Sequence, residues 1–101
     1  TIYIKGNNKT FMRVKKFLKE YYSNDIFIKF IPSGKVPSLR MVNGTNNILI
    51  GFFQDFNKKN IIIVTCIDNL IKGAAGQAIQ NMNIMFGFDE KESLILQKIN
   101  P

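Results

Sequence analysis

Between Gly73 and Phe88 the chain carries no charged side chain, and that absence constrains the fold more than any other feature. The run follows Ile61-Ile62-Ile63-Val64-Thr65-Cys66-Ile67, mostly branched side chains that suit a buried strand. Asp68 and Asn69 form a polar step. A helix over about Gly73 to Met85 then opens on residues small enough for another backbone or a ligand to come into contact. A helix facing water shows charges on its outer side. This one offers only the amides of Gln77, Gln80, Asn81 and Asn83 among Ala, Ile, Met and Phe. The pattern predicts a helix covered on most sides by protein or cofactor, because interface cores lose charge and gain Met and aromatics.

The remaining sequence supplies a sheet for that helix. Thr1 to Ile4 reads as a strand and Gly6 to Lys9 as a turn, with Thr10 as the expected helix cap. Phe11, Val14, Phe17, Leu18 and Tyr21 then recur at helical spacing among Arg13, Lys15, Lys16, Lys19 and Glu20, the pattern of an amphipathic helix lying on a sheet. Ser23-Asn24-Asp25 ends it. Ile26 to Ile31 reads as a strand, with Ile26, Ile28 and Phe30 on one face and Phe27, Lys29 and Ile31 on the other. Pro32 to Pro37 is a loop. A short strand is expected over Leu39 to Val42, before a turn at Asn43-Gly44. Ile48 to Gln54 and Asn60 to Ile67 read as a hairpin joined by Asp55 to Lys59. The tail from Glu90 to Pro101 carries either one more strand or a surface segment through Leu94, Ile95 and Leu96. The expected order is β-α-β-β-β-α. The fold class is α+β, an antiparallel or mixed sheet with helices packed on one face.

At 101 residues there is room for one domain burying about 65% of the surface its unfolded chain exposes. No run of roughly 18 apolar residues suggests a membrane span, and the first residues lack the pattern of a secretory signal. One cysteine permits no internal disulfide, which fits a cytosolic setting. The formal net charge of +7 invites a nucleic-acid reading through counterion release. The lysines are dispersed, however, and only Arg13 and Arg40 supply the side chain favoured for bidentate phosphate and base contacts. A solvated basic surface accounts for them better.

Chemistry is sparse. The chain has no histidine, which removes the commonest general base and the usual zinc sites within it. Neither a catalytic residue nor a metal ligand is assigned. Cys66 lies among β-branched residues, where a thiol behaves as a small inert hydrophobe. Asp68-Asn69 reads on its own as a helix cap.

The run Asp68-Asn69-Leu70-Ile71-Lys72-Gly73-Ala74-Ala75-Gly76-Gln77-Ala78, continued by Gln80 to Phe88, resembles the C-terminal segment of N-acetyl-gamma-glutamyl-phosphate reductases. Pro37 to Asn46 resembles the loop and strand that precede it there, and Thr1 to Ile4 the strand after that family's catalytic-histidine region. The resemblance covers nearly the whole chain, which is far more specific than a lone glycine motif. It implies part of a semialdehyde-dehydrogenase-like catalytic domain, with residues 1–101 a single domain or the C-terminal part of the catalytic and dimerisation domain. No dinucleotide-binding domain is present in it.

By that resemblance the parent is a cytoplasmic, NADPH-dependent oxidoreductase of arginine biosynthesis. It acts on a small acyl phosphate, N-acetyl-glutamyl 5-phosphate, and gives the 5-semialdehyde. Its catalytic cysteine and histidine precede the part seen here, so these residues alone are expected to be inactive. The resemblance further implies that Asn69 meets the nicotinamide carboxamide of NADP, while Gly73 and Ala74 let the helix start approach the cofactor. Arg40 is the candidate for the acyl phosphate or a substrate carboxylate, with a solvated surface arginine as the alternative. Asn46 is a second substrate candidate, with service to its own turn as the alternative. A homo-oligomer is expected, because the lone piece exposes apolar surface. The competing reading is a free-standing basic module for single-stranded nucleic acid, using Phe27-Ile28-Lys29-Phe30 as an aromatic platform.

Overall fold

The structure, a computed structural model, describes residues 1–95. Strand β1 (Ile2–Lys5) leads into helix α1 (Asn8–Tyr21), followed by β2 (Ile28–Phe30), β3 (Ile48–Gln54), β4 (Asn60–Ile67) and helix α2 (Gly76–Met85). The strands form one sheet in the order β1-β4-β3-β2. β4 is antiparallel to both neighbours and β2 is parallel to β3. The class is α+β with a mixed sheet, in the expected element order. The hairpin keeps its expected bounds because its turn is chemically closed. The Asp55 carboxylate accepts from the Lys59 and Asn60 backbone N–H groups at 2.8 and 3.0 Å, and from the Asn60 side chain at 2.8 Å.

Helix α1 starts earlier than expected. The Asn7 side-chain oxygen accepts from the Thr10 N–H at 2.9 Å and from the Thr10 hydroxyl at 3.1 Å. Asn7 is therefore the cap, and Thr10 is the donor it satisfies three residues on. Phe11, Val14 and Leu18 pack on Ile50, Ile61 and Ile63, with Ile28, Phe30, Ile48 and Phe52 around them. Ile61 is 0% exposed, a burial that contributes about 1.5–3 kcal/mol. Phe17 and Tyr21 do not join the core. They stack on each other at 5.8 Å and remain 62% and 68% exposed. Phe17 overhangs the β1 side, where a groove of about 560 Å³ lies open between Ile4, Val14, Leu18 and Ile63.

On the opposite face the connection after β2 crosses the sheet. A Cβ on Gly51 would stand 2.8 Å from Pro37 Cγ and 3.0 Å from Ile31 Cγ2, so only glycine lets this loop lie flat. Phe27 and Ile31 are buried there. Phe30 stacks on Phe52 in the core at 5.8 Å. The aromatic platform needed by the nucleic-acid reading is thus turned inward. Toward β1 the same face presents Tyr3, Ile62, Val64 and Cys66, half-buried or exposed, with no helix over them among the described residues.

Two expected strands are shorter or replaced. In Ile26 to Ile31 only Ile28–Phe30 pair regularly. Leu39 to Val42 is not a strand but a 3-10 turn, Leu39–Met41, closed by the Val42 N–H on the Leu39 carbonyl at 3.0 Å. The chain must reverse there to enter β3, and Gly44 takes φ +76° to do it. Glu90 to Ile95 is turn rather than strand, with Leu94 buried; Leu96 to Pro101 lie outside the described residues. Helix α1 is the one that lies on the sheet. Helix α2 packs at the sheet's end, against the turn that leads into β3.

Candidate functional site

Strand β4 ends at Ile67, and the next residue locks its exit. One Asp68 carboxylate oxygen accepts from the Gly44 N–H at 2.8 Å; the other accepts from Leu70 N–H at 2.9 Å and Ile71 N–H at 3.2 Å. The carboxylate thereby ties the turn before β3 to the start of the helical segment. The Gly44 hydrogen bond, with help from Leu70 and Ile71, holds the Asp68 carboxyl below its ordinary 3.8.

The helix then begins with a wide turn over Ile71–Ala75. The Gly73 N–H donates to the Asp68 carbonyl at 3.1 Å and Ala75 N–H to Leu70 at 3.4 Å, each reaching back five residues. Such π turns are uncommon and occur often at functional sites. Asn69, Gly73 and Ala74 are exposed together on this turn. A Cβ on Gly73 would lie 2.9 Å from the Asn69 side-chain oxygen. The three residues expected to face a cofactor are thus neighbours on one surface.

Behind that surface helix α2 is built inside out. Its buried residues are Gly76, Gln80 and Asn83, one helical stripe made of amides and a glycine. Asn46, 1% exposed, donates to the Gln80 side-chain oxygen at 3.0 Å, and the Lys72 ammonium donates to the same oxygen at 2.7 Å. Gln80 in turn donates to Glu90 at 2.8 Å. Asn83 donates to the carbonyls of Glu90 and Glu92 at 3.1 and 3.0 Å. A Cβ on Gly76 would overlap the Asn46 side-chain oxygen, so the helix can approach this turn only with glycine there. Lys72 also sits 5.5 Å from the centre of the Phe27 ring. Burial lowers its basicity, while Glu90 and Asp25 act in the opposite sense.

The outer side of the helix is apolar. Met82, Ile84, Met85, Phe86 and Phe88 are exposed, Met85 at 79% and Phe86 at 69%. The expected cover over this helix is not supplied by residues 1–95. Of the expected substrate residues, Asn46 stands inside the hydrogen-bonded network rather than on the surface. Its amide nitrogen donates to Gln80, and its buried side-chain oxygen has no hydrogen-bond partner among the described residues. Arg40 is exposed in the 3-10 turn Leu39–Met41, outside the Asp68–Gln80 system. Cys66 is half-buried opposite Leu49. The parts that sequence reasoning missed are the reach of Asp68 to Gly44 and the inward roles of Gln80, Asn83 and Lys72. In the sequence the amides of Gln80 and Asn83 read as what the helix offers in place of outer-face charges, and the structure turns both inward.

The profile of the semialdehyde dehydrogenase dimerisation domain matches residues 1–69. Among curated proteins, the N-acetyl-gamma-glutamyl-phosphate reductase of Methanocaldococcus jannaschii is 46% identical over 86 residues, 85% of this chain and 25% of the relative. That of Clostridium botulinum is 45% identical over 97 residues, 95% of this chain and 28% of the relative. That of Caldicellulosiruptor bescii is 53% identical over 77 residues, 76% of this chain and 22% of the relative. The chain therefore spans about a quarter of the length of these relatives. With its sheet, its hairpin and the exit turn at Asp68 all inside the matched span, the chain belongs to the semialdehyde dehydrogenase dimerisation-domain family.

Proposed function

We propose that this chain is the dimerisation and cofactor-positioning part of an NADPH-dependent reductase. The reaction is conversion of N-acetyl-glutamyl 5-phosphate to N-acetyl-glutamate 5-semialdehyde, a cytoplasmic step of arginine biosynthesis. The reading is supported by the identities of 45–53% to N-acetyl-gamma-glutamyl-phosphate reductases. One observation carries the local assignment: Asn69 is exposed on a turn that the Asp68 carboxylate ties to Gly44, Leu70 and Ile71.

An exposed carboxamide held by a rigid turn fits a nicotinamide carboxamide, since each offers one acceptor and two donors. When bound, NADPH supplies the hydride. The Asn69 amide orients the ring, so that one face is presented to the reacting acyl carbon. Gly73 and Ala74 keep the turn low enough for that approach. Arg40 takes the phosphate or carboxylate of the substrate. Asn46 acts from within, holding Gln80 and hence the helix in place. The reactive cysteine, its histidine partner and the nucleotide-binding domain belong to the rest of the enzyme. Partner surfaces follow from the same division: a second copy of the chain on the open sheet face, and the nucleotide domain on the outer side of α2.

The test is an assay of NADPH oxidation with the acyl phosphate. The full-length protein is expected to be active and residues 1–101 alone inactive. Asn69→Ala in the full-length protein is expected to slow hydride transfer at least about tenfold, the usual penalty for a misplaced reactant. A reading frame around this segment with neither a glycine-rich nucleotide fold nor a reactive cysteine would overturn the assignment. An unchanged Asn69→Ala rate would remove the nicotinamide contact.

A further inference from the structure

Gly73 is a glycine without a conformational reason to be one. Its φ lies outside the left-handed region, and the side-chain atoms nearest to a Cβ there belong to Asn69 and Ile67. It is exposed, so no neighbouring element of the described chain demands its smallness. In a helical turn glycine costs about 1 kcal/mol relative to alanine. What the missing Cβ does provide is space for the Asn69 carboxamide. Its side-chain oxygen would be 2.9 Å from that carbon, and Ile67 Cδ1 3.4 Å. Real Cβ atoms do not come that close, so an alanine would push the amide aside.

The backbone beneath Asn69 has little freedom left. Asp68 accepts from Gly44, Leu70 and Ile71, and its carbonyl accepts from the Gly73 N–H itself at 3.1 Å. Side-chain rotation of Asn69 is the remaining variable. We infer that Gly73 is a positioning residue, whose bare Cα is the floor on which the Asn69 carboxamide rests and which selects its direction. This rests on the reading of Asn69 as the nicotinamide's partner, and it assigns Gly73 a role exerted through Asn69 rather than by touching the cofactor.

A purely structural glycine and a positioning glycine respond oppositely to Gly73→Ala. A structural, packing role lowers Tm, whereas the positioning role leaves Tm unchanged or raised through higher helix propensity and loses rate instead. In the full-length protein, single-turnover hydride transfer from NADPH deuterated on one face of C4 is measured for Gly73→Ala, Asn69→Ala and the double variant. Gly73→Ala is expected to slow transfer about tenfold to a hundredfold, to loosen the facial selectivity of deuterium transfer, and to leave KM for the acyl phosphate unchanged. The double variant is expected to be no slower than Asn69→Ala, because both changes remove one arrangement. A full-rate Gly73→Ala beside a slow Asn69→Ala overturns the inference and spares the nicotinamide reading. So do losses that multiply in the double variant, or a lowered Tm for Gly73→Ala. Full rates for both single variants remove the nicotinamide reading itself.

Discussion

Two aspartates close the two ends of strand β4, and both act through backbone N–H groups rather than cations. Asp55 closes the hairpin before it, chiefly by accepting from Asn60, and Asp68 closes the exit after it, chiefly by accepting from Gly44. Both carboxyls are held below their ordinary 3.8, so the folded state favours the ionised form. The sign follows from linkage. Their contribution to stability is complete above the unfolded value of about 3.9 and is lost as pH falls through the lower folded value. Asp68→Asn keeps the shape and weakens the acceptor. Urea unfolding of the chain is expected to show a lower midpoint for Asp68→Asn at pH 7, and curves that converge with the parent's below the folded value. A gap that persists unchanged in acid would show that the charge is not what holds the turn.

At the scale of elements, the inverted polarity of helix α2 decides which substitutions hurt. Gln80 links Asn46, Lys72 and Glu90, so Gln80→Ala strands several polar groups in a partly dry site. Its expected cost is about 1–3 kcal/mol. Met85→Gln, on the exposed side, is expected to stay within about 0.5 kcal/mol of the parent. Denaturant midpoints of the two variants check this, and equal losses would contradict the inside-out assignment. The same inversion explains what the sequence could and could not reveal. The bounds of β3 and β4 were legible because apolar runs broken by Asp55 to Lys59 admit one hairpin. The α1 stripe was legible at Phe11, Val14 and Leu18, but spacing cannot tell where the sheet ends beneath it, so Phe17 and Tyr21 were misplaced. The face of α2 was illegible, because hydrophobic periodicity assumes an apolar inside. Here the inside is an amide stripe, in which Asn46, 34 positions away, donates to Gln80, and Asn83 donates to the Glu90 and Glu92 carbonyls. Asn69, Gly73 and Ala74 were named together from the family run and are exposed on one turn, while the five-residue reach that brings Gly73 under Asn69 left no trace in composition.

The whole molecule presents two large apolar surfaces on different sides, and monomeric proteins rarely expose such patches without use. One is the open sheet face bearing Tyr3, Ile62 and Val64; the other is the outer side of α2 with Met82, Met85 and Phe86. Two copies of the open sheet face meeting about a two-fold axis would form an isologous dimer, and the family is one of dimerisation domains. On the proposed reading the outer side of α2 faces the nucleotide domain, so a second copy seated there would compete with it. The sheet is therefore the expected dimer face. Ile62 lies at its centre, paired with Tyr3 on one side and Phe53 on the other. Ile62→Lys places an unpaired ammonium in that contact, and association of the full-length protein is expected to weaken about a hundredfold. Sedimentation at micromolar concentration would then show monomer. On the proposed reading, Met85→Lys is expected to keep the dimer and to slow NADPH oxidation by the full-length protein. If sedimentation instead found Ile62→Lys dimeric and Met85→Lys monomeric, the two surfaces would exchange roles.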